Sequence, residues 1–172
     1  MRRSFVQLTG PCLAVAWLFA PVNAHAQSLT VTLLPAAVTF TLTNGSSTNA
    51  GSLPLVVTTV WTLLPPGQTI SLYGYFSSST AALAHVSPAN SVDIPSSRVQ
   101  VSINGSAGAP FDQTVPFGAA NSGRLFVTQA ITLATLSGIR TDTLSLNINL
   151  NGYALPADAY AGTLRVRARV SP

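Results

Sequence analysis

From Ser28 to the end of the chain the apolar residues recur at every second position. Leu29, Val31 and Leu33 alternate with Thr30 and Thr32, and Val38, Phe40 and Leu42 with Thr39, Thr41 and Thr43. Leu144, Leu146, Ile148 and Leu150 alternate with Ser145, Asn147 and Asn149. Successive side chains of a strand point to opposite faces, so this spacing suits a half-buried strand and cannot give a helix one apolar side. The chain has no Lys and no Glu, the charged residues that favour exposed helix. These features predict an all-β protein: an immunoglobulin-like antiparallel β-sandwich of seven to nine strands, in one domain over residues 27–172. A closed barrel is the alternative. A membrane barrel fits poorly, because the regular strands of about 10 residues and the aromatic girdles are missing.

Turn signals divide the pattern. Leu53–Leu64 is the most apolar run and reads as a central strand with Val57, Thr59, Trp61 and Leu63 on one face. Pro65-Pro66-Gly67 ends it. Ile70, Leu72, Gly74 and Phe76 then alternate with Ser71, Tyr73 and Tyr75, which suggests a hairpin partner. Residues 77–97 read as a short helical turn or edge loop followed by turns. Val99–Ile103 is a short strand closed by Asn104-Gly105. Phe111–Phe117, bracketed by Pro110 and Pro116, reads as an edge segment. Leu125, Val127, Gln129, Ile131 and Leu133 share one face, and Gly138–Asp142 reads as a turn. A last hairpin joins Leu144–Leu150 to Leu164–Val170, with Arg165, Arg167 and Arg169 in an outward row.

The N-terminal 26 residues stand apart. Arg2 and Arg3 precede an apolar stretch, Pro11–Ala20, and Ala24-His25-Ala26 is a small-x-small cleavage site. This is the layout of a secretory signal peptide over residues 1–26, and it predicts a secreted protein of the periplasm or cell surface. The apolar stretch is about half of the roughly 20 residues that cross a bilayer, so no transmembrane segment is expected in the mature chain. Cleavage would remove Cys12, the only cysteine, leaving no disulfide, thiol nucleophile or cysteine metal site.

Beyond residue 26 the ionic groups are six arginines (98, 124, 140, 165, 167 and 169) against four aspartates (93, 112, 142 and 158). That excess is too small to suggest nucleic-acid binding. A surface of hydroxyls and amides offers little electrostatic protection against association.

Signals for catalysis are sparse. His85 is the one histidine after residue 26. The aspartates are scattered, although Asp93 with Asp112, or Asp142 with Asp158, could meet in space. Asp142 and Asp158 read as residues that bond their own turns. No G-x-S-x-G elbow accompanies the serines, and one histidine without cysteine cannot build a typical zinc site. Calcium in an Asp/Asn loop stays open. The expectation is a non-enzymatic protein without a cofactor. Trp61 reads as core. Tyr73 and Tyr75 are candidate surface contacts, for sugars or a subunit, or members of a cross-strand ladder. Arg165, Arg167 and Arg169 either guard an edge strand or contact anionic glycans or lipid headgroups.

The C-terminal segment Asp142–Val170 resembles the last strands of secreted bacterial β-sandwich subunits of the spore coat protein U and chaperone–usher pilin group. Those end in L-P-A-G-x-Y-x-x-T-hydrophobic-x-hydrophobic. Leu155, Pro156, Ala157, Tyr160, Thr163, Leu164 and Val166 match. Asp158 replaces the usual glycine, and the near-terminal aromatic and the paired cysteines are missing. The resemblance implies a structural or adhesive subunit of a pilus or surface matrix, with self-association, related surface subunits or a periplasmic chaperone as partners. It also implies a sandwich lacking one strand, filled by a neighbour's N-terminal extension. Ser28–Leu34, with Leu29, Val31 and Leu33 alternating, is the candidate assembly strand; an ordinary first strand of its own domain is the other reading.

Overall fold

The computed structural model describes residues 27–172. The signal-peptide expectation falls on residues 1–26 and lies outside the described residues. No described helix is long and apolar enough to cross a membrane.

The fold is all-β and antiparallel. In chain order the strands are β1 (Ser28–Leu34), β2 (Asn49–Ala50), β3 (Leu55–Thr62), β4 (Thr69–Tyr75), β5 (Ala84–His85), β6 (Val99–Ile103), β7 (Ala109–Pro110), β8 (Gly123–Ala130), β9 (Ser137–Ile148), β10 (Tyr160–Ala161) and β11 (Arg165–Ser171). A larger sheet runs β1-β3-β9-β6-β7, with β2 also on β9. A second sheet runs β11-β4-β8, and β10 pairs with β5 in a short ladder. The two sheets face each other across a main core and a smaller cluster of Trp61, Leu63, Ile70 and Ile131. Leu55, Val57, Val99, Val101, Leu144, Leu146 and Ile148 meet Leu72, Phe76 and Phe126, with Phe111 between them.

Several connections differ from the sequence expectation for one reason: period two fixes which way a side chain points, not which strand lies alongside. β3 and β4 are not a hairpin, because Pro65-Pro66-Gly67 carries the chain from the larger sheet to the smaller. The last two long strands also separate, β9 into one sheet and β11 into the other. Val38–Thr43 keeps its alternation but pairs only through the bridge Phe40–Gly51. Residues 77–83 form no helical turn; the one helical element among the described residues is a 3-10 turn at Ser96–Arg98. Phe111–Phe117 borders the edge strand β8 as expected, through the bridge Gln113–Gly123, but it begins in the core. Phe111 is fully buried, and its ring meets Phe76 and Phe126 edge-on at 5.1 and 5.9 Å.

Gly138–Asp142 is not a turn but the first half of β9. Its inward positions are Gly138, Arg140 and Asp142, in phase with Leu144, Leu146 and Ile148. Gly138 lies opposite Trp61 on β3, and a Cβ there would stand 2.5 Å from the indole ring. The bare backbone lets Trp61 lie flat and donate its indole N–H to the Thr135 carbonyl at 2.9 Å.

In β8 the expected common face of Leu125, Val127 and Gln129 is broken. Tyr73 pairs with Leu125 and Leu72 with Val127, so Phe126 is one residue too many on its strand. This β-bulge turns Phe126 into the core and leaves Leu125 39% exposed; Leu133, beyond the strand, is exposed too. Phe126 occupies the space over Gly74, where a Cβ would come within 2.0 Å of its ring.

Gly74→Ala is therefore expected to destabilise the protein by about 1–3 kcal/mol through overpacking. Phe126→Ala should cost about 3–5 kcal/mol. The double variant should cost less than the sum, because the alanine methyl enters the space the ring leaves. Urea unfolding of the three variants checks this.

Candidate functional site

Beyond β1 the chain keeps a strand-like sequence but pairs only through the bridge Phe40–Gly51. Pro35 has no N–H and ends the β1 ladder. Val38, Phe40 and Leu42 turn half-buried toward the core. One side of this segment is tied down: Ser52 donates its N–H to the Thr39 carbonyl at 2.8 Å, and Thr43 donates its own to Asn49 Oδ1 at 2.6 Å. The other side faces Ala159–Leu164, and no backbone hydrogen bond joins the two among the described residues.

An apolar cleft fills this gap. It begins as a cavity of about 240 Å³ whose lining includes Leu33, Val38, Leu55, Phe76, Leu146 and Leu164. Past Phe40 and Gly162 it continues as a space of about 520 Å³ against Leu83, Ile148 and Tyr160. It ends beside Leu42, Asn44 and Leu155–Asp158 in a further 260 Å³ or so. Core side chains thus line an opening between two stretches of backbone that do not pair with each other; β10 is held from its far side by β5. Such a cleft can accept an extended peptide, with main-chain bonds along its lips and alternate side chains entering the floor.

Hydrogen bonds to side chains hold one lip. His85 on β5 gives its backbone N–H to Asp93 Oδ1 at 3.0 Å, and its Nδ1 lies 2.6 Å from the same oxygen. These bonds hold the Asp93 carboxyl below its ordinary value of 3.8. Asp158 accepts the N–H groups of Ser87 and Ala159 and the Asn90 amide; Asn90 also bonds the Tyr160 hydroxyl. Burial alone would raise the Asp158 pKa, but Asn90, Ser87 and Ala159 outweigh it and lower it. Asp158, at the position of the expected glycine, thus bonds its own turn and also ties residues 87–90 to the start of β10.

The aspartate pairings considered from sequence do not form. Asp93 meets His85, Asp112 lies 3.9 Å from Arg124, and Asp142 meets Arg140. No serine hydroxyl bonds His85, and no group of three metal-ligating side chains occurs among the described residues.

The candidate assembly residues Leu29, Val31 and Leu33 lie on β1, which pairs with β3 of its own domain from Ser28–Thr62 to Leu34–Val56. All three are half-buried. Leu29 packs beside Trp61 and Leu63, while Val31 and Leu33 cover the main core. Leu33 also reaches the cleft.

The candidate surface contacts come together on the outer face of the second sheet. Arg165 lies opposite Tyr75 and Arg167 opposite Tyr73, with Arg169 opposite Ser71. Tyr75 is not exposed as expected: it is buried beneath the loop of Phe117 and Gly118. A Cβ on Gly118 (φ +78°) would stand 2.5 Å from the Tyr75 ring. Phe117 stacks on Tyr75 at 5.7 Å, meets Tyr73 edge-on at 5.9 Å and lies under the Arg167 guanidinium at 5.1 Å. Sequence reasoning missed Phe117, and no local signal could have placed it, because only the loop's return over β4 brings it there.

It also missed the buried ion pair Arg140–Asp142, although the inward parity of β9 continued back from Leu144 would have found it. Asp142 accepts from Arg140 Nε at 2.8 Å and from Nη2 at 2.9 Å, and Asn104 adds a bond at 2.8 Å. Asp142 bonds no turn of its own, contrary to the sequence expectation. Burial would raise its pKa, but Arg140 and Asn104 hold it below the ordinary 3.8. The Arg140 pKa is raised by the same pair.

The Asp142 side chain is 1% exposed and that of Arg140 35%. Asp142→Ala is expected to cost about 3 kcal/mol, the low end for breaking a buried pair, since the guanidinium still reaches water. Because Asp93, Asp142 and Asp158 all have lowered values, the stability they contribute is fully present above the unfolded carboxylate pKa, near 3.9. It is lost as pH falls below that value and through their folded ones. A melting-temperature series should be flat from pH 7 to about 5 and fall steeply below about 4; Asp142→Ala should flatten the fall.

Comparison with protein-family models, with curated proteins and with solved structures finds no match to this chain.

Proposed function

We propose that this protein is an exported structural or adhesive subunit of a pilus or surface matrix, a non-catalytic component of the periplasm or cell surface. Its sandwich is read as immunoglobulin-like and open along one side. The observation that carries this reading is the apolar cleft between Val38–Thr43 and Ala159–Leu164. Core side chains line it, and the two lips, each held from its far side, share no backbone hydrogen bond across it. A strand from a second copy or a related subunit would supply both the hydrogen bonds and the apolar contacts. A periplasmic chaperone could occupy the same cleft before assembly.

The candidate strand is Ser28–Leu34. It is N-terminal, alternating, and set off from Val38–Thr43 by Pro35. In the isolated chain it covers its own sheet edge, so entering a neighbour's cleft would exchange its pairing with β3 for bonds along the lips of that cleft. The outward face supports association as well. Across β1, β3 and β9 it presents Thr30, Val60 and Ile139 in one row and Thr32, Thr58 and Thr141 in the next, without a charge. A second reading, a non-catalytic carbohydrate- or surface-binding module, is supported by the arginine row beside Tyr73 and Phe117.

Residues 27–172 should form concentration-dependent oligomers in sedimentation velocity and ordered assemblies in electron micrographs. Deleting Ser28–Leu34 should abolish assembly, and a synthetic peptide of that segment should bind the shortened protein. Val38→Asp, which charges a cleft lip without removing β1, should weaken assembly at least about tenfold, the factor for 1.4 kcal/mol. A chain that stays monomeric throughout, or assembly indifferent to both changes, rules the reading out.

A further inference from the structure

The uncompensated charge of the described protein sits on one strand. Of its six arginines, Arg98 donates to the Asn151 carbonyl at 2.9 Å and lies over the Tyr153 ring. Arg124 donates to the Pro110 carbonyl at 3.0 Å and lies near Asp112, and Arg140 holds Asp142. Arg165, Arg167 and Arg169 have no carboxylate within 4.0 Å among the described residues. All four aspartates are engaged elsewhere.

We propose that the outer face of β11 and β4 is a binding site for a linear acidic polysaccharide, read by Arg165, Arg167 and Arg169 with Phe117 and Tyr73. This rests on the carbohydrate-binding reading and names its ligand class.

The geometry supports the assignment in three ways. Outward residues on a strand repeat at about 6.6 Å, so the guanidinium groups spring from a straight line about 13 Å long. β11 is paired with β4 along its whole length, which holds that line rigid. The row is also pre-ordered: Phe117, wedged against Tyr73 and Tyr75, holds the Arg167 guanidinium over its ring. A guanidinium so placed can still offer its edge to a carboxylate or sulfate in a two-point hydrogen bond.

Edge protection does not account for the arrangement. A charge on an edge strand discourages mispairing, but three like charges in register repel each other, and the chain supplies no anion between them. The neighbouring outward positions separate a sugar from a lipid surface. Ser71 and Thr128 lie side by side next to Arg169, offering hydroxyls to a glycan. The aliphatic groups on this face are few, Leu125 at 39% exposed beside Tyr73 and the half-buried Val115 over Gly123, too little to anchor a bilayer contact.

The test uses the monomer fraction of residues 27–172, so the outcome of the assembly experiments does not bear on it. Titration calorimetry would compare polygalacturonate, neutral dextran and phosphatidylglycerol vesicles at low and high salt. Polygalacturonate should bind, and more weakly as salt rises. The triple variant Arg165→Gln, Arg167→Gln, Arg169→Gln should lose at least about tenfold in affinity, as expected for losing even one charge-assisted hydrogen bond. Phe117→Ala should lose a smaller factor by freeing Arg167. Arg98→Gln, which removes one charge elsewhere, should bind as the parent does, and thermal melts confirm that the variants fold. Equal binding of dextran would overturn the acidic site while leaving a carbohydrate module standing. Binding to neither polymer would overturn both. Vesicle binding equal to or tighter than polygalacturonate binding, or a triple variant that binds like the parent, would also overturn the proposal.

Discussion

The inner face of β9 is the constraint on which the rest of the structure depends. Residues 27–172 contain no cysteine, so no covalent staple joins the two sheets, and packing between their inner faces must hold them. β9 pairs with β3, β6 and β2, and its inward residues run Gly138, Arg140, Asp142, Leu144, Leu146, Ile148. The aliphatic half anchors the main core. The other half begins with a glycine that admits Trp61 and continues with an ion pair. Trp61, Leu63, Ile70 and Ile131 form a second apolar cluster there. Arg140 and Asp142 lie between the two clusters, so the sandwich is two apolar regions crossed by a polar band. A buried pair contributes little net stability beside apolar residues of the same volume. It does hold one arrangement, because Asp142 without Arg140 would be a buried, unpaired charge.

The two candidate functional surfaces differ in how completely the backbone is paired. Along β11 and β4 every position from Arg165–Tyr75 to Ser171–Thr69 is matched, and the side chains above stand on a rigid plate. That suits a surface that reads a repeating ligand. Between Val38–Thr43 and Ala159–Leu164 the ladder fails and apolar residues line an opening. A strand from another molecule would bond along these facing edges and lay its side chains against the apolar floor. The His85–Asp93 and Asp158–Asn90 contacts belong to this second region. They use His85, Asp93 and Asp158 to fasten its lip.

Much of this was legible in the sequence. The alternation located every strand of five or more residues except the first half of β9, and the inward residues Val57, Trp61, Leu72, Leu144, Leu146 and Ile148 are buried as their parity required. The outward row of arginines also stands as read. The misreadings share a cause. Gly138 and Asp142 resemble turn residues by type, yet one makes room for Trp61 and the other is held by Arg140. Leu125 was read in phase with Val127 because a bulge adds a residue without leaving a mark in the pattern. Tyr75 was read as exposed because its cover, Phe117, comes from a loop more than forty residues away.

Alternation along the chain specifies antiparallel strands and which way most of their side chains point, and residues 27–172, without cysteine, carry no disulfide. The tertiary structure alone decided that β3 and β4, and β9 and β11, lie in different sheets. It also decided that Val38–Thr43 runs beside β10 without pairing to it, and that Arg167 rests on Phe117. The physical reason is that a period of two encodes a direction for each side chain, whereas the choice of neighbour depends on packing between residues far apart in the chain.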